Sequence, residues 1–579
     1  MKFLLTAINA KYIHSNLGVY TLKAYAEQAL GESPVRPVIE IGEYTINHQA
    51  DFILKDIYRR QPDAVGFSCY IWNIDYVMNL VRDLPKILPH TEIWLGGPEV
   101  SYNAGELLRE HPQIKGVMMG EGEETFAGLM ACYAGGTTGP EMVPGIAVRT
   151  ADGDIVVNEI RPVMSMDRIP FSYHDMTGFE HKIIYYESSR GCPFSCSYCL
   201  SSLDKSVRFR SLESVRRELD FFLEKRVPQV KFVDRTFNCK RSHALAVWKH
   251  ILDHDNGVTN FHFEISADLL EEEELELMRR MRPGLIQLEI GVQSTNPDTI
   301  REIRRSMDLK KLAEVVEKIN GFQNIHQHLD LIAGLPFEGY DSFRQSFNQV
   351  YAMRPSQLQL GFLKVLKGSH MADMAGEYGL EYKSTPPYEV LSTRWLDYGE
   401  VLRLKAVEEM VEVYYNSGQF QRTLPRLEQE FDTPFDMFTA LAEYYERQGL
   451  FEINHSRMAR YEILFEFVRT ETGGCLEAYR DLLMYDLYLR ENIKSRPSFA
   501  GDQSPYKEQV REFFAGEHAQ PKYLKGYEAY DPRQMAKMAH IEVLGEGRMI
   551  LFDYRNREPL YHNAADYCVG CAAGKELPL

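Results

Sequence analysis

Short apolar runs alternate with longer amphipathic stretches through the first part of the chain, at residues 3–8, 17–30, 35–41, 50–58, 64–70, 74–88, 92–95 and 114–119. That alternation predicts a parallel sheet covered by helices. From 146 to 182 the residues turn polar, with a turn at Asp152-Gly153-Asp154 and prolines at 162 and 170 that interrupt any helix. The alternation resumes with strands at 181–186, 229–233, 261–266, 285–290, 328–335 and 357–365, separated by helical stretches. Six strands each followed by a helix predict a parallel, partly closed barrel with its reactive groups at the strand ends. Beyond 370 the alternation gives way to helix-rich, aromatic segments at 400–415, 434–448, 457–467 and 475–490, then a hairpin at 541–544 and 549–552. The fold class is therefore α/β: a Rossmann-like parallel sheet over 1–145, a linker over 146–182, a partial (β/α)6 barrel over 183–370 and a mostly helical region over 371–579.

A chain of 579 residues is too long for one core, and 44% hydrophobic with 26% charged residues is ordinary for a globular protein. The net charge of -18 argues against broad binding to nucleic acid or anionic lipid. The start, M-K-F-L-L-T-A-I-N-A, reads as a first strand, and no run reaches the ~18 apolar residues of a membrane span. A cytoplasmic location is the expectation. Nine cysteines, an odd number, fit reduced thiols and metal ligation better than a disulfide framework.

The candidate chemistry centres on E-S-S-R-G-C-P-F-S-C-S-Y-C-L, residues 187–200, which puts Cys192, Cys196 and Cys199 at C-x3-C-x2-C spacing after a strand. A structural zinc site needs four closed ligands, and the next cysteine, Cys239, lies beyond a helix and a strand. Three thiolates suit an iron-sulfur cluster with one iron left open. This spacing, with Tyr198 before the last cysteine, resembles the signature of the radical S-adenosylmethionine (SAM) enzymes. The resemblance implies a 4Fe-4S cluster whose open iron binds SAM, and reductive cleavage of SAM to methionine and a 5'-deoxyadenosyl radical. It also implies a six-stranded partial barrel and a flavodoxin- or ferredoxin-type reductant.

Three later stretches match the family's pattern. Val233-Asp234-Arg235 stands where the family contacts the SAM amino group. Gly291-Val292-Gln293-Ser294 resembles the E-x-G-V-Q-S segment of cobalamin-type members, and Ile332-Ala333-Gly334-Leu335-Pro336 resembles the segment against which adenine packs. Glu264 is a candidate for the SAM ribose or amino group, since a carboxylate in a doubly buried strand needs a partner. The plainer alternative for Asp234 and Glu264 is an ion pair with Arg235 or Lys231. Arg190 and Arg235 are candidates to neutralise the SAM carboxylate or the cluster.

In the first region, Asn9 to Gly18, the strand reaching Ser68-Cys69, the turn Gly96-Gly97-Pro98-Glu99 and the turn Gly120-Glu121-Gly122-Glu123 resemble, in pattern and order, the cobalamin-binding domain that precedes many radical-SAM domains. Both turns fall where an open sheet binds ligands, and neither is the G-x-G-x-x-G of a nicotinamide site. Corrinoid domains with a lower histidine ligand carry D-x-H-x-x-G; here no Asp stands two residues before His14, and Gly18 comes one position late. Cobalamin is therefore expected to bind largely without His14, which otherwise is a loop histidine beside a helix cap at Ser15 or Asn16. With only Cys69 and Cys132, the region lacks the thiols for a methylthiotransferase's auxiliary cluster.

Two readings remain for the terminal part. Its aromatic stripes are core or a roof over the barrel mouth, and Cys568 and Cys571 are a reducible or accessory-ligand pair rather than a closed zinc site. The resemblance implies a cobalamin-dependent radical-SAM enzyme, foremost a methyltransferase acting on an unactivated carbon of a small molecule or peptide. Cyclisation, rearrangement or oxidation without methyl transfer is the alternative.

Overall fold

A computed structural model describes residues 1–31, 36–136 and 139–569. Five parallel strands, β1 (Lys2–Asn9), β2 (Val38–Thr45), β3 (Ala64–Ser68), β4 (Glu92–Gly96) and β5 (Gly116–Met118), form the first sheet in the order β2-β1-β3-β4-β5. Helices Leu17–Leu30, Ala50–Arg60, Ile74–Ile87, Ala104–Glu110 and Gly122–Tyr133 separate them. The second strand begins and ends later than its apolar run suggested, because it pairs along the whole of β1 from Lys2↔Val38 to Asn9↔Thr45. The sheet does not stop at 145: β6 (Ile146–Arg149) and β7 (Ile155–Val157) continue it as antiparallel strands, so the polar hairpin is part of the sheet. Strand order reverses between β1 and β3, which leaves a crevice over their carboxyl ends.

The barrel is six parallel strands in the order β15-β14-β13-β12-β11-β8: β8 (Ile184–Tyr186), β11 (Gln229–Phe232), β12 (Asn260–Ile265), β13 (Ile286–Gln293), β14 (His326–Ala333) and β15 (Gln357–Phe362). Two short antiparallel strands, β9 (Ser189–Arg190) and β10 (Arg208–Phe209), bracket the cysteine loop. The barrel is open, and its edge at β15 is covered by a side chain acting as a strand. Asn416 accepts from Leu358 N at 2.9 Å and donates to Leu358 O at 2.9 Å.

The hairpin β16 (Glu381–Tyr382) and β17 (Val390–Ser392) leads into helices Tyr398–Met410, Pro434–Arg447, Arg457–Glu471 and Leu476–Arg490. They do not roof the barrel. Phe435 packs on Phe347, Arg344 pairs with Asp436 at 2.6 Å and Tyr415 donates to Pro355 O, so the helices lie against helix Tyr340–Ala352 and the start of β15. The physical reason is the open edge and base, whose apolar and unpaired groups need cover. The chain then adds helices Lys507–Ala519 and Pro532–Met538 and an antiparallel sheet, β18 (Ala539–Leu544), β19 (Arg548–Arg557) and β20 (Ala564–Val569), one strand more than the expected hairpin. Among the described residues no helix is long and apolar enough to cross a membrane.

Candidate functional site

Cys192, Cys196 and Cys199 open into one cavity of about 190 Å³ at the carboxyl ends of the barrel strands, shared with Tyr198, Arg235, Glu264, Glu289, Gln293, Arg305 and Asp330. Their loop is pinned from both sides, since Ser197 N donates to Ile303 O at 2.9 Å and Met371 N to Ser197 O at 2.9 Å. Arg305 reaches in from far along the chain, with Nη1 3.8 Å from Cys196 Sγ and Nη2 on Gly291 O. Burial raises the Cys196 thiol and the Arg305 guanidinium opposes that. Among the described residues no fourth cysteine and no histidine lines the cavity. Three thiols beside a fixed cation, with space in front of them, fit a cluster held by three thiolates with one iron open.

The lumen beneath is polar. Strands β13 and β14 alternate between buried and partly accessible positions, which puts Gln287, Glu289, Gly291 and Gln293, and His326, His328, Asp330 and Ile332, on the inner face. Glu289 is contacted by Lys231 Nζ at 2.9 Å and His262 Nε2 at 3.0 Å, and these two hold its carboxyl well below the usual range against the opposing effect of burial. Among the described residues Glu264 has no such partner. Burial pushes it up to about 7, with Arg235 opposing and Glu289 adding. Burial, with Glu289 and Glu264, also drives Asp330 well above its ordinary value, and its buried Oδ1 lies 3.2 Å from His328 Nε2 without a well-aligned hydrogen bond.

Gln293 is brought to the cavity by a register shift between Gly291 and Gln293 against β14 and by a positive φ of 74°. A bulge re-aims a side chain in this way. Gly291 leaves room for that side chain, since a Cβ there would lie 2.3 Å from Gln293 Nε2 and the amide would have to move. Gln293 Oε1 is buried and unpartnered, hence available to a ligand donor.

Asp234 is fully buried and turned to the cysteine loop, accepting from Ser188 N at 3.0 Å, Ser188 Oγ at 2.7 Å and Ser189 Oγ at 2.5 Å. Its pKa rises to about 6 through burial, with those hydrogen bonds opposing. Gly334 and Leu335 do not line the cavity. Leu335 packs in an apolar cluster that includes Tyr198 and backs the loop, and Gly334 lies under Val390.

Between barrel and first sheet lies a cavity of about 670 Å³, lined by Asn9, His14, Tyr70, Trp72, Tyr185 and Arg235 among others. Arg235 also lines the cysteine cavity, so the two adjoin. A further cavity of about 460 Å³ over the strand ends is lined by Ser68, Gly96, Gly97 and Gly120 and shares Tyr70 and Arg190 with the larger one. Gly97 has φ +115°, and a Cβ on it would stand 2.5 Å from Cys69 O, so only glycine keeps this turn low over the sheet. These adjoining spaces at the crevice fit a large ligand lying across the sheet edge. His14 Nδ1 lies 2.5 Å from Tyr185 Oη, and burial followed by Lys11 keeps the imidazole pKa low.

The two domains are clamped around this room. Arg190 Nη2 bridges Glu123 at 2.8 Å and Glu187 at 2.7 Å, Arg208 pairs with Glu121, and Lys367 reaches Glu99 at 2.9 Å. Arg190 is thus engaged by carboxylates. Sequence reasoning missed Arg305, Glu289, His262, His328 and Asp330. The alternation I-Q-L-E-I-G-V-Q over Ile286–Gln293 was the available signal for an inward polar face. Cys568 ends in β20, and Cys571 lies outside the described residues.

Family models match in three successive stretches: a B12 binding domain over 4–130, the Radical SAM superfamily over 186–350 and Protein of unknown function (DUF4080) over 376–552. The chain is 26% identical over 354 residues to the cobalamin-dependent radical SAM methyltransferase TokK of Streptomyces tokunonensis, covering 57% of this chain and 50% of TokK. It is 21% identical over 347 residues to the anaerobic magnesium-protoporphyrin IX monomethyl ester cyclase of Rubrivivax gelatinosus, covering 57% of this chain and 62% of the cyclase. The chain spans about half the length of the first curated relatives it matches. In fold it is similar to the cobalamin-dependent SAM radical enzyme OxsB solved with aqua-cobalamin and SAM, with a TM-score of 0.58 and 14% identity over 89% of this chain and 80% of OxsB.

Proposed function

From a chain that joins a B12-binding domain, a radical-SAM domain and a DUF4080 region in that order, we propose a cobalamin-dependent radical-SAM enzyme that methylates an unactivated carbon of a small molecule or peptide. The observation that carries the reading is the adjoining of the three-thiol cavity and the interdomain room through Arg235. A substrate placed there would lie within reach of both cofactors.

Cys192, Cys196 and Cys199 would hold the cluster, Glu264, Gln293 and Asp330 would accept from SAM donors, and the crevice with Ser68, Gly96, Gly97 and Gly120 would hold cobalamin. When bound, these groups supply one-electron cleavage of SAM and methyl transfer through cobalt. The protein's own part is to position and to exclude water. Asp234 fixes the loop that presents the thiols, and the Arg190 and Arg208 ion pairs close the room between the domains. The similarity to the methyltransferase TokK supports the reading, and that to the cyclase supports a second one, ring formation without methyl transfer. A flavodoxin- or ferredoxin-type protein is the proposed electron donor.

The deciding measurement is product stoichiometry on reconstituted enzyme given methyl-labelled SAM and a metabolite extract. Methyl transfer requires S-adenosylhomocysteine and 5'-deoxyadenosine in nearly equal amounts, with label in a new product. Sustained 5'-deoxyadenosine without S-adenosylhomocysteine during turnover selects the cyclase-type reading.

A further inference from the structure

Far from the thiols, where helix Leu476–Arg490 meets β19 and β20, lies a cavity of about 510 Å³ with Arg422 and Arg557 on its wall. Arg490 stands behind it, donating to Tyr561 O at 2.7 Å and to Asn563 Oδ1 at 2.9 Å, while Asn563 itself lines the cavity and is 8% exposed. Among the described residues none of these three arginines makes an ion pair with a carboxylate. Arg557 donates to Arg490 O at 3.1 Å and Arg422 lies 5.7 Å over the Tyr485 ring. Two carboxylates, Glu558 and Asp566, share the cavity wall with the arginines, and both are already engaged, as is the neighbouring Glu491. Glu558 accepts from Tyr561 N at 2.6 Å, Asp566 accepts from the Tyr485 hydroxyl, and Glu491 pairs with Arg457 at 2.6 Å.

In a chain with 83 acidic against 65 basic residues, three unpaired guanidiniums around one cavity are conspicuous. They also repel: burial, then Arg457 and Arg557, lowers the Arg490 pKa. An anion would remove that repulsion.

The backbone is shaped for the same purpose. In the β19–β20 pairing the register jumps from Asp553↔Ala565 to Arg557↔Ala564, so residues 554–556 bulge out. Asp553, fully buried, locks the bulge by accepting from Arg555 N at 3.0 Å and Asn556 Nδ2 at 2.7 Å. Bulges of this kind re-aim side chains, and this one turns Asn556 and Arg557 to the cavity. Guanidinium forks match the oxygens of phosphate and bind them in pairs. We propose that this cavity is a binding site for a phosphate-bearing small molecule, held by Arg422, Arg557, Asn556 and Asn563. Tyr561, whose carbonyl holds Arg490, lies 3.1 Å by its hydroxyl from Ser356 Oγ and packs on His326, so the ligand would sit where the terminal sheet joins the barrel base.

The test is calorimetric titration of the full chain with inorganic pyrophosphate at constant ionic strength. One saturable site per chain is expected, weakened at least tenfold in the double variant Arg422→Ala/Arg557→Ala. The variant Arg422→Lys/Arg557→Lys, which keeps charge but loses the forks, should fall between. Both residues are exposed, so an unchanged melting temperature in the absence of pyrophosphate should confirm that the fold survives. Absence of saturable binding in the wild-type chain, or equal binding by the alanine variant, overturns the proposal.

Discussion

Strand β1 is buried on both faces from Phe3 to Asn9, whereas β13 alternates strictly between core and lumen along its whole length. Both strands lie inside parallel sheets followed by helices. The first sheet is covered on both sides, so its central strand β1 is buried throughout and ligands are left the glycine-bearing strand ends. The barrel hides only its outer face, so its inner positions are free to carry Lys231, Glu264, Glu289, His328 and Asp330. Branched apolar residues usually fill such a lumen. The first sheet thus offers space and shape, while the barrel offers charges and donors along the strands themselves.

The largest expected effect concerns the barrel. Replacing Cys192, Cys196 and Cys199 together by Ala should abolish the visible absorbance of the reconstituted cluster and reduce SAM cleavage to background. A triple variant that retains a SAM-responsive cluster would place the cluster elsewhere.

Stability separates the sheets next. Leu4, fully buried in β1, should cost about 2–5 kcal/mol as Leu4→Ala, because transfer and cavity penalties add. Lys231→Met should cost less, about 1–3 kcal/mol, since the stranded Glu289 still has His262 and is roughly a quarter solvent-exposed. Denaturant titration checks both, and a larger loss for Lys231→Met would erase the contrast.

A pH dependence sharpens it further. Glu264 has a folded pKa of about 7 against an ordinary value of 4.5, so the folded protein holds this proton more tightly. The cost of its buried charge is fully present above pH 7 and disappears as pH falls through 7 toward 4.5. Glu264→Gln should therefore melt higher than the wild-type apoprotein at pH 8, with the gap closing by pH 5. A gap that is constant with pH would show that Glu264 is not buried as an unpaired acid.

The smallest effect belongs to the first sheet. His14→Ala should change cobalamin affinity by no more than about threefold, ~0.6 kcal/mol. Loss of a nitrogen hyperfine coupling to cobalt in the variant's paramagnetic spectrum would make His14 a ligand after all.

The alternation of apolar runs determined the parallel strands of both sheets, and the C-x3-C-x2-C spacing determined the three thiols that share a cavity, because periodicity and short spacing are local properties of a chain. Tertiary structure alone decided what those elements face. Asp234 reads in sequence as a cofactor contact and closes on Ser188 and Ser189, while Arg305 carries no signal in the sequence and reaches Cys196 across 109 positions. The helices after 398 are visible as helix-rich, aromatic stretches, but their aromatic stripes say nothing of which surface they cover. The open edge at β15, closed by Asn416, decided that they lie beside the barrel and at its base. The same holds for Arg422, Arg490 and Arg557, which come from three separate elements. A sequence specifies each guanidinium, and only packing decides that, among the described residues, none of the three pairs with a carboxylate although Glu558 and Asp566 share the cavity wall.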